Sequence, residues 1–219
     1  MSRWSASTVG KGTAMGEPDF EQARRYALDR LDHELQPALC YHSIIHTRDE
    51  VVVAAERMAA LDDLCGEPLL LLRTAAYFHD LGFIERRDGH EAVGVRIAEQ
   101  ALPGFGYSQP QIAAIGQMIM ATRLPQAPAT PLAAMLADSD LDMLGRDDFL
   151  SFNQLLRAEL AAFSPPVSDA VWYRQQLGFV RSHRYWTSHA RRLRDLGKQR
   201  NLLLLEELLA TAERPATPG

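Results

Sequence analysis

Two cysteines in 219 residues, Cys40 and Cys65, stand far apart with no Cys-x-x-Cys spacing. They make neither a thiolate zinc site nor a disulfide framework, and a reducing cytoplasm suits them. Long apolar runs are missing too. No segment reaches the ~18 uninterrupted apolar residues of a membrane span, and the opening residues 1–20 lack the apolar stretch of a secretory signal. A basic excess is also absent. Lys and Arg number 23 against 28 Asp and Glu, and the net charge of −5 disfavours nucleic acid or an anionic membrane as partner. No GxxxxGKS/T loop, GxGxxG fingerprint or GxSxG elbow occurs, so ATP-driven, dinucleotide and serine-hydrolase chemistries have no anchor. Strand signals are scarce: nowhere do β-branched or aromatic residues alternate with polar ones between turn signals.

What remains is helical. An apolar fraction of 47% and a charged fraction of 23% are ordinary for a globular chain of one domain. Residues 1–17, rich in Ser, Thr and Gly, read as an N-terminal tail, and 214–219 as its C-terminal counterpart, leaving 18–213 as the folded domain. Pro18–Asp19 opens a segment to about Leu39 with Phe20, Ala23, Ala27, Leu31 and Leu35 on one stripe, and Asp19 is placed to cap it. A second helix follows His46. The next stretch, LLLLRTAAYFHDLGF at 69–83, is apolar nearly all round, which marks a helix buried on most faces, with Gly82 as its stop signal. Further helices fall at about 89–101, 108–122, 131–144, 147–162, 168–185 and 186–212. The fold class is therefore all-α, a compact bundle of about eight or nine helices.

The dipeptide His79–Asp80 carries two good ligands for a divalent ion. Adjacent helical side chains diverge, so they converge on one ion only where the helix ends. A cation there would also relieve an aspartate opposed by the helix dipole. Alone, such a pair reads more often as a polar step at a helix end. Upstream, YHSIIHT holds Tyr41, His42 and His46, the two histidines four apart and on one face if helical; no glutamate completes a HExxH zinc site. Downstream, LADSDLDMLG sets Asp138, Asp140 and Asp142 in an apolar pattern, where buried carboxylates need partners. A shared cation is one solution; capping or solvent is the other.

In order, His46, His79–Asp80 and an aspartate near 140 resemble the H…HD…D signature of the HD-domain superfamily of metal-dependent phosphohydrolases. The YHxxxHT opening, the SDLDMLG stretch and the late KQRNLLLLEEL segment look most like a bacterial subgroup of HD phosphohydrolases, over about residues 18–213. The resemblance implies one divalent metal ion held by His46, His79, Asp80 and Asp140, with Asp138 as competitor for the last place. Ser139–Asp140–Leu141 favours Asp140, being similar to the ADL around the ligand in cyclic-nucleotide phosphodiesterases. Those relatives open with YHN and use that His as general acid; Tyr41–His42 matches, while Ser43 replaces the Asn.

The implied activity is hydrolysis of a small phosphorylated metabolite or nucleotide. Asp80 would hold the metal and position water, and His42 would protonate the leaving oxygen. Arg86, Arg87, His90 and Arg123 are the candidates for contact with substrate, and Glu91 for supporting His90 or a ligand histidine. Two alternatives stay open: a non-catalytic HD module that binds a nucleotide or a partner, and a di-iron HD oxygenase, whose extra histidines are not evident. The basic run at 181–200 reads as a solvated helix face, and LLLLEELL as a last core helix or a homodimer contact.

Overall fold

The structure is a computed structural model and describes residues 17–214. The two tail assignments at 1–17 and 214–219 fall almost wholly outside the described residues. Among these there are nine α-helices and no strand. In chain order they are α1 (Phe20–Glu34), α2 (Val52–Leu61), α3 (Gly66–Phe78), α4 (His90–Ala101), α5 (Gln109–Met120), α6 (Pro131–Asp140), α7 (Phe149–Phe163), α8 (Asp169–Ser182) and α9 (Ser188–Ala212). A wide π-type turn, His46–Val51, leads into α2, and tight 3-10 turns at Leu81–Ile84, Leu102–Phe105 and Asp142–Gly145 follow α3, α4 and α6.

Local chemistry places the helix starts. Asp19 Oδ1 accepts from the Gln22 amide at 2.9 Å, Thr130 and Thr187 hydroxyls accept from Ala133 and Ala190 amides, and Ser108 with Gln111 forms a capping box. α1 ends at Glu34, short of the expected Leu39, because Gln36–Pro37 interrupts helical geometry. No helix of the described residues is long and apolar enough to cross a membrane.

Packing divides the interior into two main apolar clusters and a small third one of Met58, Tyr185 and Ala190. The larger joins α1 to α6 around Leu72, Phe78, Ile97, Ile115, Ile119 and Leu136. A fully buried residue such as Phe78 contributes about 1.5–3 kcal/mol. The smaller gathers Tyr41, Leu144, Phe149, Val180 and Leu205 between α7, α8, α9 and the turn after α6. The chain passes from one cluster to the other before α2, between Tyr41 and Ile44, and at the end of α6, between Leu136 and Leu141. This seam is where the conspicuous histidines and aspartates lie.

Two glycines hold the seam closed. A Cβ on Gly197 of α9 would stand 2.0 Å from the Gly145 carbonyl oxygen, and one on Gly145 would stand 2.4 Å from the Arg194 carbonyl oxygen. The backbones therefore touch where only hydrogen fits. Asn201, one turn further on, donates to the carbonyls of Leu144 and Arg146 and fastens the same contact. Gly197→Ala is expected to destabilise the chain by about 2–3 kcal/mol in urea unfolding. Gly178→Ala, on α8 with nothing near its Cβ position, is expected to stabilise by about 0.4–1 kcal/mol.

Candidate metal centre

The end of α3 is built as the divergence argument requires. His79 is the last residue with helical backbone angles, and at Asp80 (φ −101°, ψ 2°) the chain leaves the helix. That turn swings the carboxylate beside the imidazole: His79 Nε2 and Asp80 Oδ2 are 3.2 Å apart. The break is stabilised by close approach of the next helix. A Cβ on Gly82 would fall 1.8 Å from the His90 carbonyl oxygen at the start of α4. Gly82 is thus the stop signal and also the reason His90 reaches the site.

Asp140, the last residue of α6, sets Oδ1 at 3.3 Å from His46 Nε2 and 3.5 Å from His79 Nε2. His46 Nε2 is 3.8 Å from Asp80 Oδ2. His46, His79 and Asp140 offer ligand atoms all within 4.8 Å of one another, and Asp80 borders the same space. His46, His79 and Asp80 are buried and Asp140 is nearly so.

The donor chemistry of this cluster fits a cation. His79 Nδ1 lies 2.8 Å from the Ala76 carbonyl oxygen. A carbonyl only accepts, so Nδ1 carries the proton and, in the neutral ring, Nε2 presents a lone pair. That Nε2 and Asp80 Oδ2 are both buried without a hydrogen-bond partner. Orphaned acceptors of this kind are what a metal ligates. Without a cation the cluster compensates by proton uptake. Burial alone would lower His46, but bonds to Asp140 and Glu50 outweigh it and raise it to about 9. His79 is raised in the same way by Asp80 and Asp140 against burial. Burial pushes the carboxyls up, yet the imidazoles hold Asp80 and Asp140 well below the usual carboxylate range.

The three downstream aspartates find three different partners. Asp138 is fully buried, and its oxygens accept from the backbone amides of Trp186 and Thr187, each at 2.8 Å, just before α9. Asp142 forms a two-pronged pair with Arg194 at 2.7 and 2.8 Å. Only Asp140 turns to the histidines. Asp138 and Asp140 lie two residues apart on one helix and so face opposite sides. Arg194 belongs to the basic run read as solvated, and it is turned inward here.

His42 is not on the helix face expected of it. It sits in a bend before the His46 turn, its ring centroid 6.1 Å from that of His46. Its Nδ1 meets Glu159 Oε1 at 2.5 Å, while Glu159 Oε2 accepts from the backbone amides of Tyr41 and His42, each at 2.9 Å. Glu159, on α7, is completely buried. Burial would raise its carboxyl, but the bond to His42 outweighs that and lowers it, so Glu159 is ionised. This contact was not read from the sequence. The available signal is a charge at a stripe position of α7, in the series Phe152, Leu156, Glu159, Phe163. Glu50 was missed similarly; its carboxylate lies 3.4 Å from His46 Nδ1 and turns Nε2 toward the cluster.

The His42 ring stacks on Phe83 at 4.2 Å, and Phe83 stacks on His90 at 3.8 Å. His90 is half-buried, with Nδ1 on the Arg87 carbonyl and Nε2 3.5 Å from Asp80 Oδ1. It therefore meets Asp80 at the oxygen that His46 does not approach. Glu91 is buried, its carboxylate 3.8 Å from His90 Nε2. Arg123 is exposed and lines the opening of the cavity. Arg86 and Arg87 do not line it. The Arg87 guanidinium lies instead 4.3 Å over the Phe163 ring.

A cavity of about 370 Å³ opens off Asp80 and Asp140. Near the cluster it is bordered by His42, His90, Asp88 and Glu91, with Arg123 at the rim; the far half runs between α7 and α8. Four carboxylates and one guanidinium line it, and the charge held by the cluster, whether protons on His46 and His79 or a divalent cation, offsets two of the four.

Among solved structures, the chain resembles the 1.45 Å crystal structure of a predicted HD superfamily hydrolase from an uncultured Thermotogales bacterium. The TM-score is 0.59, over 89% of this chain and 93% of that one, at 17% identity. That likeness shows a shared all-helical fold. No family model and no curated protein matches the sequence.

Asp140→Asn is expected to strip bound divalent metal, read by elemental analysis of the purified protein. Asp138→Asn is expected to keep the metal but lower stability by about 1–3 kcal/mol, read by thermal or urea unfolding. The opposite pattern would make Asp138 the ligand.

Proposed function

We propose that this chain is a metal-dependent hydrolase of the HD type that cleaves a small phosphorylated metabolite or nucleotide at its phosphate ester. The observation that carries the reading is the buried convergence of His46, His79, Asp80 and Asp140 on one space, with unpartnered acceptor atoms at His79 Nε2 and Asp80 Oδ2. Those four residues would hold one divalent ion. Bound there, the ion supplies a water more acidic than bulk water and neutralises charge on a phosphate oxygen.

The remaining steps belong to the chain. Asp80, with one oxygen toward His46 and His79 and the other toward His90, sits between the cluster and the cavity and positions the attacking water. His42 is oriented by Glu159 through Nδ1, which leaves Nε2 for the cavity and a proton for the leaving oxygen. The Phe83 ring fixes the His42 plane from one side and the His90 plane from the other. Arg123 supplies donors for a phosphate, and His90, whose Nδ1 proton is spent on the Arg87 carbonyl, would donate through Nε2 only as the imidazolium; Arg86 and Arg87 play no part in this reading.

Metal content and a phosphomonoester hydrolysis screen on the purified protein test this. We expect bound metal, turnover that chelation removes and metal restores, and a kcat loss of roughly 10²–10⁴-fold in His42→Ala with metal content unchanged. Glu159→Gln, which keeps size but removes the charge, is expected to fall between wild type and His42→Ala. Bound metal without turnover of any phosphoester would move the reading to a non-catalytic binding module. Absence of metal, with no stability change in His79→Ala or Asp80→Ala, would overturn it.

A further inference from the structure

The far half of the cavity contains a chain of hydrogen bonds whose polarity is fixed at one end. Trp172 Nε1 on α8 donates to Asn153 Oδ1 on α7 at 2.8 Å. An indole N–H can only donate, so the Asn153 oxygen must face it. The other end of that amide, Nδ2, is therefore a donor, and it lies 2.7 Å from Gln176 Oε1. That contact in turn places the Gln176 oxygen against Asn153 and leaves Nε2 as the free end. Amide orientations usually rest on inference from neighbours; here each follows from a group with no choice.

Trp172 and Gln176 are four apart and share a face of α8, and Asn153 sits against both. Trp172 is 2% exposed, Asn153 1% and Gln176 9%. Gln176 and Asn153 both line the cavity, and Gln176 Nε2 has no hydrogen-bond partner among the described residues. Around this amide the walls are apolar: Leu141, Met143, Leu156 and Phe179. The free Nε2 donor is open to the cavity, where an acceptor held among apolar walls would bond it with little competition from water.

Resting on the hydrolase reading above, we infer that the far half of the cavity selects the alcohol part of the substrate. The ester it fits carries an apolar, planar group bearing an uncharged hydrogen-bond acceptor, a carbonyl oxygen or an unprotonated ring nitrogen. Gln176 donates to that acceptor, while Leu141, Met143, Leu156 and Phe179 enclose the ring. Trp172 and Asn153 are positioning residues: they act through Gln176 by forbidding the flip that would turn an acceptor toward the ligand. A sugar phosphate without a ring of this kind fills only the metal end.

Binding titrations on the metal-loaded protein separate the two halves. Inorganic phosphate and ribose 5-phosphate probe the metal end, benzyl phosphate adds a ring with no acceptor, and uridine 5′-monophosphate adds a ring with carbonyl acceptors. We expect the uridine nucleotide to bind roughly tenfold or more tightly than benzyl phosphate and than ribose 5-phosphate. Gln176→Leu should remove that advantage and leave ribose 5-phosphate within about twofold. Trp172→Phe removes the indole donor and frees the amides to turn. It should narrow the gap between the uridine nucleotide and benzyl phosphate without changing ribose 5-phosphate affinity, which a merely structural loss would not do. Circular dichroism and unfolding of both variants identify misfolding; if Gln176→Leu misfolds, Trp172→Phe and the wild-type affinity order decide. No advantage for the uridine nucleotide in wild type, or an advantage that survives both substitutions, would overturn the inference while the metal reading stood. Failure of inorganic phosphate and ribose 5-phosphate to bind would overturn the hydrolase reading and this inference with it.

Discussion

Two carboxylates that each lie 3.2–3.8 Å from the same two buried imidazole nitrogens cannot stand together without a positive charge to share. The rest of this structure can be understood from that constraint. α3 must stop at His79 so that Asp80 can turn beside it, and Gly82 must be glycine so that α4 can press against the stop. α6 must end at Asp140, and the turn that follows must lie flat against α9, which Gly145 and Gly197 permit. Asp138 and Asp142 then neutralise themselves elsewhere, one on amides that precede α9 and the other on Arg194. With its neighbours spent, Asp140 is the carboxylate left for the cluster.

The centre also sits where two apolar clusters meet. The helix ends of the α1–α6 half carry the candidate metal ligands, and α7 and α8 supply what faces them: Glu159 behind His42, and Asn153 with Gln176 across the cavity. In this reading the larger cluster holds the ion and the smaller one sets proton transfer and choice of substrate. The division follows from helix geometry, since helix ends present convergent polar groups while packed helix faces present walls.

Much of this was legible in the chain and some was not. Helical periodicity placed eight of the nine helices to within a few residues, and the third, apolar on nearly every face, was read as buried, which it is. The ordered His46, His79–Asp80 and Asp140 were legible because each falls at a helix terminus marked by punctuation or by a motif. The choice of Asp140 over Asp138 rested on the resemblance of Ser139–Asp140–Leu141 alone, since both lie on one buried helix and their physical difference comes from the start of α9, nearly fifty residues later. Arg86 and Arg87 follow the HD pair closely in sequence but do not line the cavity, and the Arg87 guanidinium lies over Phe163 instead. Glu159 and Gln176 were invisible because their partners are distant in sequence, although each is a polar residue on an otherwise apolar stripe.

The central claim concerns the ligand set, and the X-ray absorption fine structure of the metal-loaded protein tests it most directly. The account predicts a shell of nitrogen and oxygen donors with the multiple-scattering pattern of two imidazole rings, reduced to one ring in His46→Gln. An all-oxygen shell, or a spectrum unchanged in that variant, would contradict it.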